Sequence, residues 1–166
     1  MKRILLLCLL PTLAFADFGK FDAEFDNEKP WQELEAQLPA YPKDENLLPF
    51  EVSGTTSNRF LIDRTSINIG SDGVVRYTLV VKSPSGARNI SFEGIRCRTA
   101  EFRAYAFGRS DGTWSRARTS KWNGIEHKNM NRQHVVLLND FFCSGEMPVA
   151  SLDSLVQKLK YGGGGE

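Results

Sequence analysis

The sequence has few of the side chains that bind metal ions or transfer protons, with two histidines and three cysteines in 166 residues. His127 and His134 would stand two helical turns apart, which is too far to share one ion without bending. The H-E-x-x-H, S-x-x-K and P-loop motifs are also absent. These absences argue against an ordinary hydrolase built on one of those motifs, and we expect no metal and no cofactor.

Long hydrophobic runs are absent as well. The longest, from Ile4 to Leu10, is far shorter than the roughly 20 residues that a helix needs to cross a bilayer. Two basic residues precede this run and the small-residue segment Ala14-Phe15-Ala16 follows it, as in a secretory signal peptide. We therefore predict a signal peptide over residues 1–16 and no membrane span after its removal. An uncleaved N-terminal anchor is the alternative.

Removal of such a peptide would leave two cysteines, Cys97 and Cys143, which are 46 residues apart. In an oxidising compartment two cysteines most simply form one disulfide bond. Closing a loop of that length stabilises a fold by about 4 kcal/mol in the chain-entropy model. A redox-active pair would normally show a C-x-x-C spacing, which is missing, so we predict a structural disulfide.

Charge is unevenly distributed although the chain as a whole carries a net charge of only +1. Residues 17–58 contain ten acidic and three basic side chains, a balance of −7, whereas residues 59–121 contain five acidic and twelve basic ones, a balance of +7. The remaining residues, 122–166, carry five acids and four bases. Either the acidic arm lies against the basic body and neutralises it, or the body binds a polyanion such as nucleic acid.

The stretch from Val74 to Arg98 carries the strongest structural pattern. Apolar and polar residues alternate along residues 74–82 and again along residues 90–98, with a turn signal at Ser83-Pro84-Ser85-Gly86 between them. Gly94 interrupts the second run and is typical of a bulge or of a close backbone approach. This pattern predicts a β-hairpin with one apolar face and one face that carries arginines.

We predict a single α+β domain with a twisted antiparallel sheet of about five strands between Phe60 and Trp122 and one or two C-terminal helices packed on it. Residues 131–143 suit a short helix or a buried strand, and we favour the helix. The helix after Ser151 is clearer, because that serine suits an N-cap and an apolar stripe follows it.

The predicted organisation is a signal peptide over residues 1–16, an acidic arm over 17–58, the α+β domain over 59–161 and a flexible glycine tail over 162–166. Prolines keep the arm extended. We expect the arm to dock on the domain through four apolar side chains: Trp31, Leu34, Leu38 and Tyr41.

The most testable surface combines arginines with aromatic rings, which together can hold a polyanion or a carbohydrate. Its candidate binding residues are Arg76, Arg96, Arg98, Arg103, Tyr105 and Trp114. The alternative is that the rings belong to the core and the arginines pair with the acidic arm.

A second hypothesis is a secreted nuclease or other hydrolase. Phosphodiester cleavage uses a carboxylate, an imidazole and a cation for the developing phosphate charge. Glu93 could supply the carboxylate, His127 or His134 the imidazole, and Arg96 or Arg98 the cation. The spacing of these residues is not diagnostic, so we regard this as the alternative to a binding protein.

Three segments resemble the bacterial cryptic neisserial protein family: DGVVRYTLVV at residues 72–81, SPSGARNISFEGIRCR at residues 83–98, and DFFC at residues 140–143. The resemblance covers roughly residues 60–143, with a weaker echo at residues 155–162. It implies a small exported bacterial protein, supports the pairing of Cys97 with Cys143, and supplies no catalytic residue. We therefore expect a non-enzymatic protein in the periplasm of a Gram-negative-type bacterium, or secreted, that binds an envelope protein or a polyanionic ligand.

Overall fold

The computed structural model describes residues 30–52, 56–126 and 132–161. Its main sheet is antiparallel, with the strand order β1-β2-β3-β4-β5-β6 and with β7 also paired to β5. The strands are β1 (Leu47–Phe50), β2 (Arg59–Ile69), β3 (Val74–Lys82), β4 (Arg88–Arg96), β5 (Glu101–Gly108), β6 (Trp114–Arg116) and β7 (Asn123–Gly124). The predicted α+β class with an antiparallel sheet is confirmed.

The sheet extends beyond the predicted limits of Phe60 and Trp122 at both ends. β1 lies within the stretch that we predicted to be an arm, and it pairs with β2 through Leu47–Asp63 and Phe50–Phe60. This strand was not predicted from the sequence because it contains a proline, which is tolerated in a strand mainly at a sheet edge. The described residues from Trp31 onward belong to one compact unit, so the described part of the arm after Pro30 is folded with the domain.

The central hairpin of β3 and β4 follows the predicted alternation. Tyr77 and Ile95 point to one side, where the helices pack, and Arg76 points to the other. The turn between the strands uses Gly86 at φ +84°, a backbone conformation that glycine adopts without strain. Gly94 marks a close approach, since a Cβ atom there would lie 2.6 Å from the Tyr105 hydroxyl oxygen.

Helical structure lies at the C-terminal end, as predicted. α1 (Arg132–Val136) continues directly into a π-helical turn over Leu137–Phe142, so the helical interpretation of this ambiguous stretch is correct. A small hairpin of β8 (Cys143–Ser144) and β9 (Met147–Pro148) follows. α2 (Leu152–Tyr161) ends the described chain, and Ser151 Oγ accepts a hydrogen bond from the Ser154 amide at 3.3 Å, as expected of an N-cap.

The helices bury one face of the sheet, and a disulfide bond fixes them to it. The main apolar cluster joins side chains of β2, β3 and β4 to Leu137 and Phe142 of the π-helical turn and to Leu155 of α2. Cys97, just after β4, is bonded to Cys143 with a Cα–Cα distance of 5.6 Å. The predicted pairing is therefore present, and it connects the end of a central strand to the end of the π-helical turn. In the part of the chain that is described, none of the helices has the length and apolar character of a membrane span.

Candidate functional site

The arginines and rings of the predicted surface gather on the sheet face opposite the helices. The Arg76 guanidinium lies 5.8 Å from the centre of the Tyr105 ring, and that of Arg103 lies 5.4 Å from it. The Phe92 ring packs on Tyr105 and on Trp114, at centroid distances of 5.4 and 6.3 Å. Because β3, β4 and β5 are neighbours in register, side chains that are far apart in sequence form one cluster here.

This face is covered by residues 31–41, which we call the covering segment and which have no regular secondary structure. Its two ends are attached by side chains that donate hydrogen bonds to backbone oxygens. Trp31 Nε1 donates to the Asp72 carbonyl at 2.7 Å, and the Tyr41 hydroxyl donates to the Arg109 carbonyl at 2.6 Å. Near the second end, Trp114 Nε1 donates to the Pro39 carbonyl at 2.9 Å. The docking expected for Trp31 and Tyr41 is thus seen in the structure.

Glu33 of the covering segment lies at the centre of the arginine cluster. Its Oε2 atom accepts hydrogen bonds from Arg103 Nη1 and, at 3.2 Å, from Trp122 Nε1. Its Oε1 atom accepts one from the Tyr105 hydroxyl at 2.7 Å and lies 3.8 Å from Arg76 Nη2. Burial and the hydrogen bond to Glu33 raise the pKa of Tyr105, so its hydroxyl stays protonated and donates. The sheet therefore presents a site for one carboxylate, and the chain fills it with its own.

A second contact between the segment and the sheet involves Arg76 and Asp72, both of which have nearly buried side chains. Arg76 Nη2 donates to Asp72 Oδ2 at 2.6 Å and to the Leu34 carbonyl at 2.8 Å, and the Leu34 amide donates to Asp72 Oδ2 at 2.8 Å. Burial opposes the charge of Asp72, but these hydrogen bonds and the arginine charge outweigh it and lower its pKa. The ion pair thus holds both the amide and the carbonyl of Leu34.

Of the six predicted binding residues, five belong to this face and one does not. The Arg96 guanidinium lies 3.7 Å from the centre of the Trp31 ring, which also meets Trp122 edge-on at 6.0 Å. Arg98 instead lies exposed in a short 3₁₀ turn, Cys97–Thr99, after the end of β4. The other four are Arg76, Arg103, Tyr105 and Trp114. Glu33 and Asp72 were not among the predicted residues, because nothing local in the sequence distinguishes them from other acids.

The acidic arm pairs with the basic body at a second place as well. Asp44 lies 3.3 Å from Lys82 Nζ and 3.1 Å from Arg88 Nη1, and these contacts lower its pKa. Part of the charge asymmetry is therefore neutralised within the folded unit. This agrees with the interpretation in which arm and body lie together.

The residues of the nuclease hypothesis are divided between the two faces of the sheet. His134 Nε2 lies 2.8 Å from Glu93 Oε2 on the helix face, and the two residues are only 3% and 6% exposed. The Tyr77 hydroxyl donates to the same carboxylate at 2.9 Å, and the Phe102 ring stacks on the imidazole. Arg96 lies on the opposite face, beneath Trp31, and His127 is outside the described residues.

The surroundings of Glu93 keep its carboxylate charged despite its burial. Burial by itself would raise its pKa, but hydrogen bonds from His134, Ser91 and Tyr77, together with the imidazole charge, lower it below the ordinary value. The pKa of Tyr77 is raised far above its usual range by its own burial and by the neighbouring Glu93 carboxylate. The pair is thus part of an internal hydrogen-bond network, closed off from solvent.

The turn between β5 and β6 contains a further sequence motif. Residues 108–112 read G-R-S-D-G and match the G-x-S-x-G pattern of serine hydrolases. In that pattern the serine follows a strand and opens a helix, whereas here Ser110 lies in the hairpin turn between β5 and β6.

Among residues 30–52, 56–126 and 132–161, no group of three or more potential metal ligands is found.

These features define a class: an α+β protein in which the cationic face of the main sheet is covered by an acidic segment of its own chain. A sequence model of the CNP1-like family matches residues 26–160, and the protein belongs to that family. It is also 25% identical to cryptic neisserial protein 1 of Neisseria gonorrhoeae over 189 aligned positions, which cover 96% of this chain and 93% of that protein. No solved structure matches the chain. The predicted family resemblance is confirmed.

Proposed function

We propose that this protein is an exported, non-enzymatic binding protein of the bacterial envelope. Its site is the arginine and aromatic face, its partner is anionic, and the covering segment competes with that partner for the face. The observation that carries the proposal is the position of Glu33, whose single carboxylate meets donors from Arg103, Tyr105 and Trp122, with Arg76 close by.

The chemistry of the Glu33 site suits an oxygen anion from outside the chain as well. Hydrogen bonds from guanidinium groups to carboxylates, sulfates or phosphates are about twice as strong as neutral ones. The covering segment has no secondary structure of its own, and Trp31 and Leu34 remain 38% and 48% exposed. A partner with several anionic groups could therefore displace the covering segment stepwise. To do so, the partner must compete with the high effective concentration of a segment that belongs to the same chain.

Export is supported by two independent features of the chain. The sequence of residues 1–16 has the order of charges and apolar residues that is typical of a signal peptide, although these residues are outside the described part of the structure. The disulfide between Cys97 and Cys143 is a type of bond that persists in oxidising compartments. Both features favour the periplasm or the extracellular space of a Gram-negative-type bacterium.

The candidate catalytic groups lie on opposite faces of the sheet, and this separation favours a binding role over a hydrolase. Glu93 and His134 are bonded to each other beneath the helices, while Arg96 contacts Trp31 on the other face. A substrate phosphate could not reach all three groups at once in this arrangement. Incubation of the oxidised protein with RNA and DNA over a broad pH range is expected to leave both uncut, and turnover that is lost in Glu93→Gln would favour the hydrolase instead.

The proposal is tested by titrating heparin, a polysulfated probe, against the oxidised protein and two variants. Glu33→Gln weakens the internal competitor, whereas Glu35→Gln makes the same charge change at an exposed position of the same segment. We expect Glu33→Gln to bind about tenfold more tightly than the wild type, which corresponds to ~1.4 kcal/mol. Glu35→Gln is expected to stay close to the wild type.

The affinity should also fall as salt is raised, because anion binding to arginines releases counterions. Point variants suit this test better than deletion of residues 17–58, since that deletion would remove strand β1 from the sheet. The proposal fails if no variant binds heparin, if binding does not respond to salt, or if both variants change affinity equally.

A further inference from the structure

The sheet face contacts the backbone of the covering segment as well as its side chains, and it does so at Leu34. The Leu34 amide donates to Asp72 Oδ2 at 2.8 Å, and the Leu34 carbonyl accepts from Arg76 Nη2 at 2.8 Å. One ion pair thus holds both backbone groups of a single residue. The Leu34 side chain, by contrast, leaves the residue 48% exposed. The contact therefore selects for a peptide backbone and not for a particular side chain at this position.

The ion pair of Asp72 and Arg76 is positioned by the sheet and not by the covering segment. Arg76 lies in β3 and Asp72 in the turn before it, with side chains only 5% and 2% exposed. Asp72 Oδ1 accepts hydrogen bonds from the Val74 amide at 3.3 Å and from Arg76 Nη1 at 3.2 Å. Both groups pack over Gly70, where a Cβ atom would lie 2.7 Å from Arg76 Nη1. The acceptor and the donor are therefore preorganised for one peptide residue.

Two side chains just before Leu34 add selectivity for sequence. The Glu33 carboxylate occupies the guanidinium, hydroxyl and indole donors described above. Two positions earlier, the Trp31 ring lies over the Arg96 guanidinium at 3.7 Å. Gln32, between these two anchors, is exposed. The face therefore fits an aromatic residue, any residue and a glutamate in that order, followed by a residue that has a backbone N–H.

The next part of the covering segment adds two apolar contacts. Ala36 and Leu38 pack against the Phe92 and Tyr105 cluster of the sheet. Glu35 and Gln37, which alternate with them, are exposed. The positions that contact the face are thus the first and third residues of the Trp31–Leu38 stretch and its sixth and eighth.

A polysulfate or a nucleic acid would fit only part of this arrangement. Their sulfate and phosphodiester oxygens accept hydrogen bonds but donate none, so they would suit the arginines and place a further negative charge beside Asp72. Such like-charge contacts oppose binding. A peptide brings a carboxylate to Arg103 and, from its next residue, an N–H to Asp72. The combined arrangement favours a polypeptide.

We propose that the partner of this face is an extended acidic segment of another protein, with an aromatic residue two positions before a glutamate and apolar residues three and five positions after it. This inference rests on the proposed function, because the partner has to displace the covering segment from the same face. It adds that the partner is a polypeptide, which is recognised through one carboxylate and one backbone unit. The peptide lies on the face of the sheet, so no free strand edge is needed.

The test uses the oxidised full chain with Glu33→Gln and Leu34→Pro, which together remove the carboxylate and the N–H of the internal competitor. The probe is the labelled synthetic peptide PWQELEAQLPAY, the sequence of residues 30–41. Fluorescence anisotropy measures its binding. We expect a dissociation constant on the order of 10–100 µM, as for a segment of millimolar effective concentration that is closed about ten to a hundred times more often than open. The wild type, with its intact competitor, should bind about tenfold more weakly.

Two pairs of modified peptides separate specific recognition from general attraction. The peptides with Glu33→Gln and Glu35→Gln carry the same net charge, and we expect the first to bind about tenfold more weakly than the parent and the second to match it. An ester in place of the Leu34 amide removes the donor to Asp72 and should also weaken binding about tenfold. The same replacement at the exposed Gln37 is its control, since no hydrogen bond from that amide is seen in the described part of the chain.

The inference is overturned if the double variant binds none of the peptides, if the two glutamine peptides bind alike, or if the Leu34 ester binds as well as the parent. Heparin binding without peptide binding would leave the anion site in place and show that the partner is a polyanion of another class. Peptide binding without heparin binding would support the polypeptide partner, and only the heparin test of the proposed function would then have failed. If the double variant does not fold, as judged by far-ultraviolet circular dichroism, Glu33→Gln alone serves as the host.

Discussion

His134 Nε2 lies 2.8 Å from Glu93 Oε2, and this contact joins a helix of five residues to the centre of the sheet. An isolated helix of that length would not persist, because short helices depend on tertiary contacts for their stability. The buried pair, the Phe102 ring stacked on the imidazole and the nearby disulfide together hold α1 in place. Glu93 and His134, which were candidate catalytic residues in the hydrolase hypothesis, therefore help to hold the helix on the sheet.

Replacement of Glu93 by glutamine is expected to lower the free energy of unfolding by about 1–3 kcal/mol at pH 7, because it removes the charged acceptor of a buried network. The folded-state pKa of Glu93 is lowered from 4.5, so its contribution is present above the unfolded-state value and is lost as the pH falls through the folded-state value. The difference between wild type and variant should therefore shrink in acid. Urea unfolding at pH 7 and at pH 3 measures it.

Glu101→Gln is the control for that experiment, since Glu101 is a partly exposed acid of the next strand, 4.0 Å from Arg96. It should change stability by a few tenths of a kcal/mol at most. A Glu93→Gln effect that is equally large at both pH values would show that packing, and not charge, explains the loss.

The disulfide is expected to contribute about 4 kcal/mol, the chain-entropy value for a closed loop of this length. The double variant Cys97→Ser with Cys143→Ser should therefore unfold at a clearly lower denaturant concentration. Reduction of the wild type should cause a similar loss, and reduction of the variant should cause none. If the double variant matches the oxidised wild type, the bond does not stabilise the fold.

Asp72→Asn is expected to loosen the covering segment. Asp72 accepts hydrogen bonds from the Leu34 amide and from Arg76, and its pKa is lowered by them, so the contribution to stability is present at neutral pH and is lost as the pH falls through its folded-state value. We expect amide hydrogen exchange at residues 31–41 to become at least about tenfold faster at pH 7. Glu35→Gln serves as the charge-matched control, and similar exchange in both variants would contradict the assignment.

Thr78→Val is expected to stabilise the protein by about 1 kcal/mol. Thr78 is fully buried, and its hydroxyl has no hydrogen-bond partner in the described part of the chain, so valine removes an unsatisfied polar group and keeps the shape. Thr65→Val is the opposite case, because its hydroxyl donates to Asp63 at 2.7 Å and its loss should destabilise. Thermal unfolding of both variants checks the two signs. Destabilisation by both would indicate that Thr78 has a partner, for example a buried water.

Much of the fold could be predicted because its signals are local. The alternation along β3 and β4 predicted an apolar face, on which Tyr77 lies in the core, and the serine at position 151 with its apolar stripe predicted α2. The two cysteines remaining after the predicted cleavage identified the disulfide. Each of these inferences needs information from only a few neighbouring residues or from a simple count.

The candidate site could not be predicted to the same extent, because it depends on contacts across the chain. Glu33 meets Arg103 and Tyr105, which are 70 and 72 residues away, and no local pattern separates it from the other acids of the arm. The register shift in β2 between Asp63 and Asn68 was also missed, since the composition of Thr65 and its neighbours is that of a continuing strand. Register shifts of this kind are set by side-chain hydrogen bonds such as that of Asp63.

Both margins of the sheet end in short strands, and this limits how the molecule can associate with others. At one margin β1 has four residues and includes Pro49, which has no N–H to offer to an added strand. At the other, β6 and β7 share the side of β5 and have three and two residues. Little backbone is therefore free for pairing with a foreign strand or for edge-to-edge aggregation among the described residues. In the proposed binding function, contacts to the partner would therefore be made by side chains.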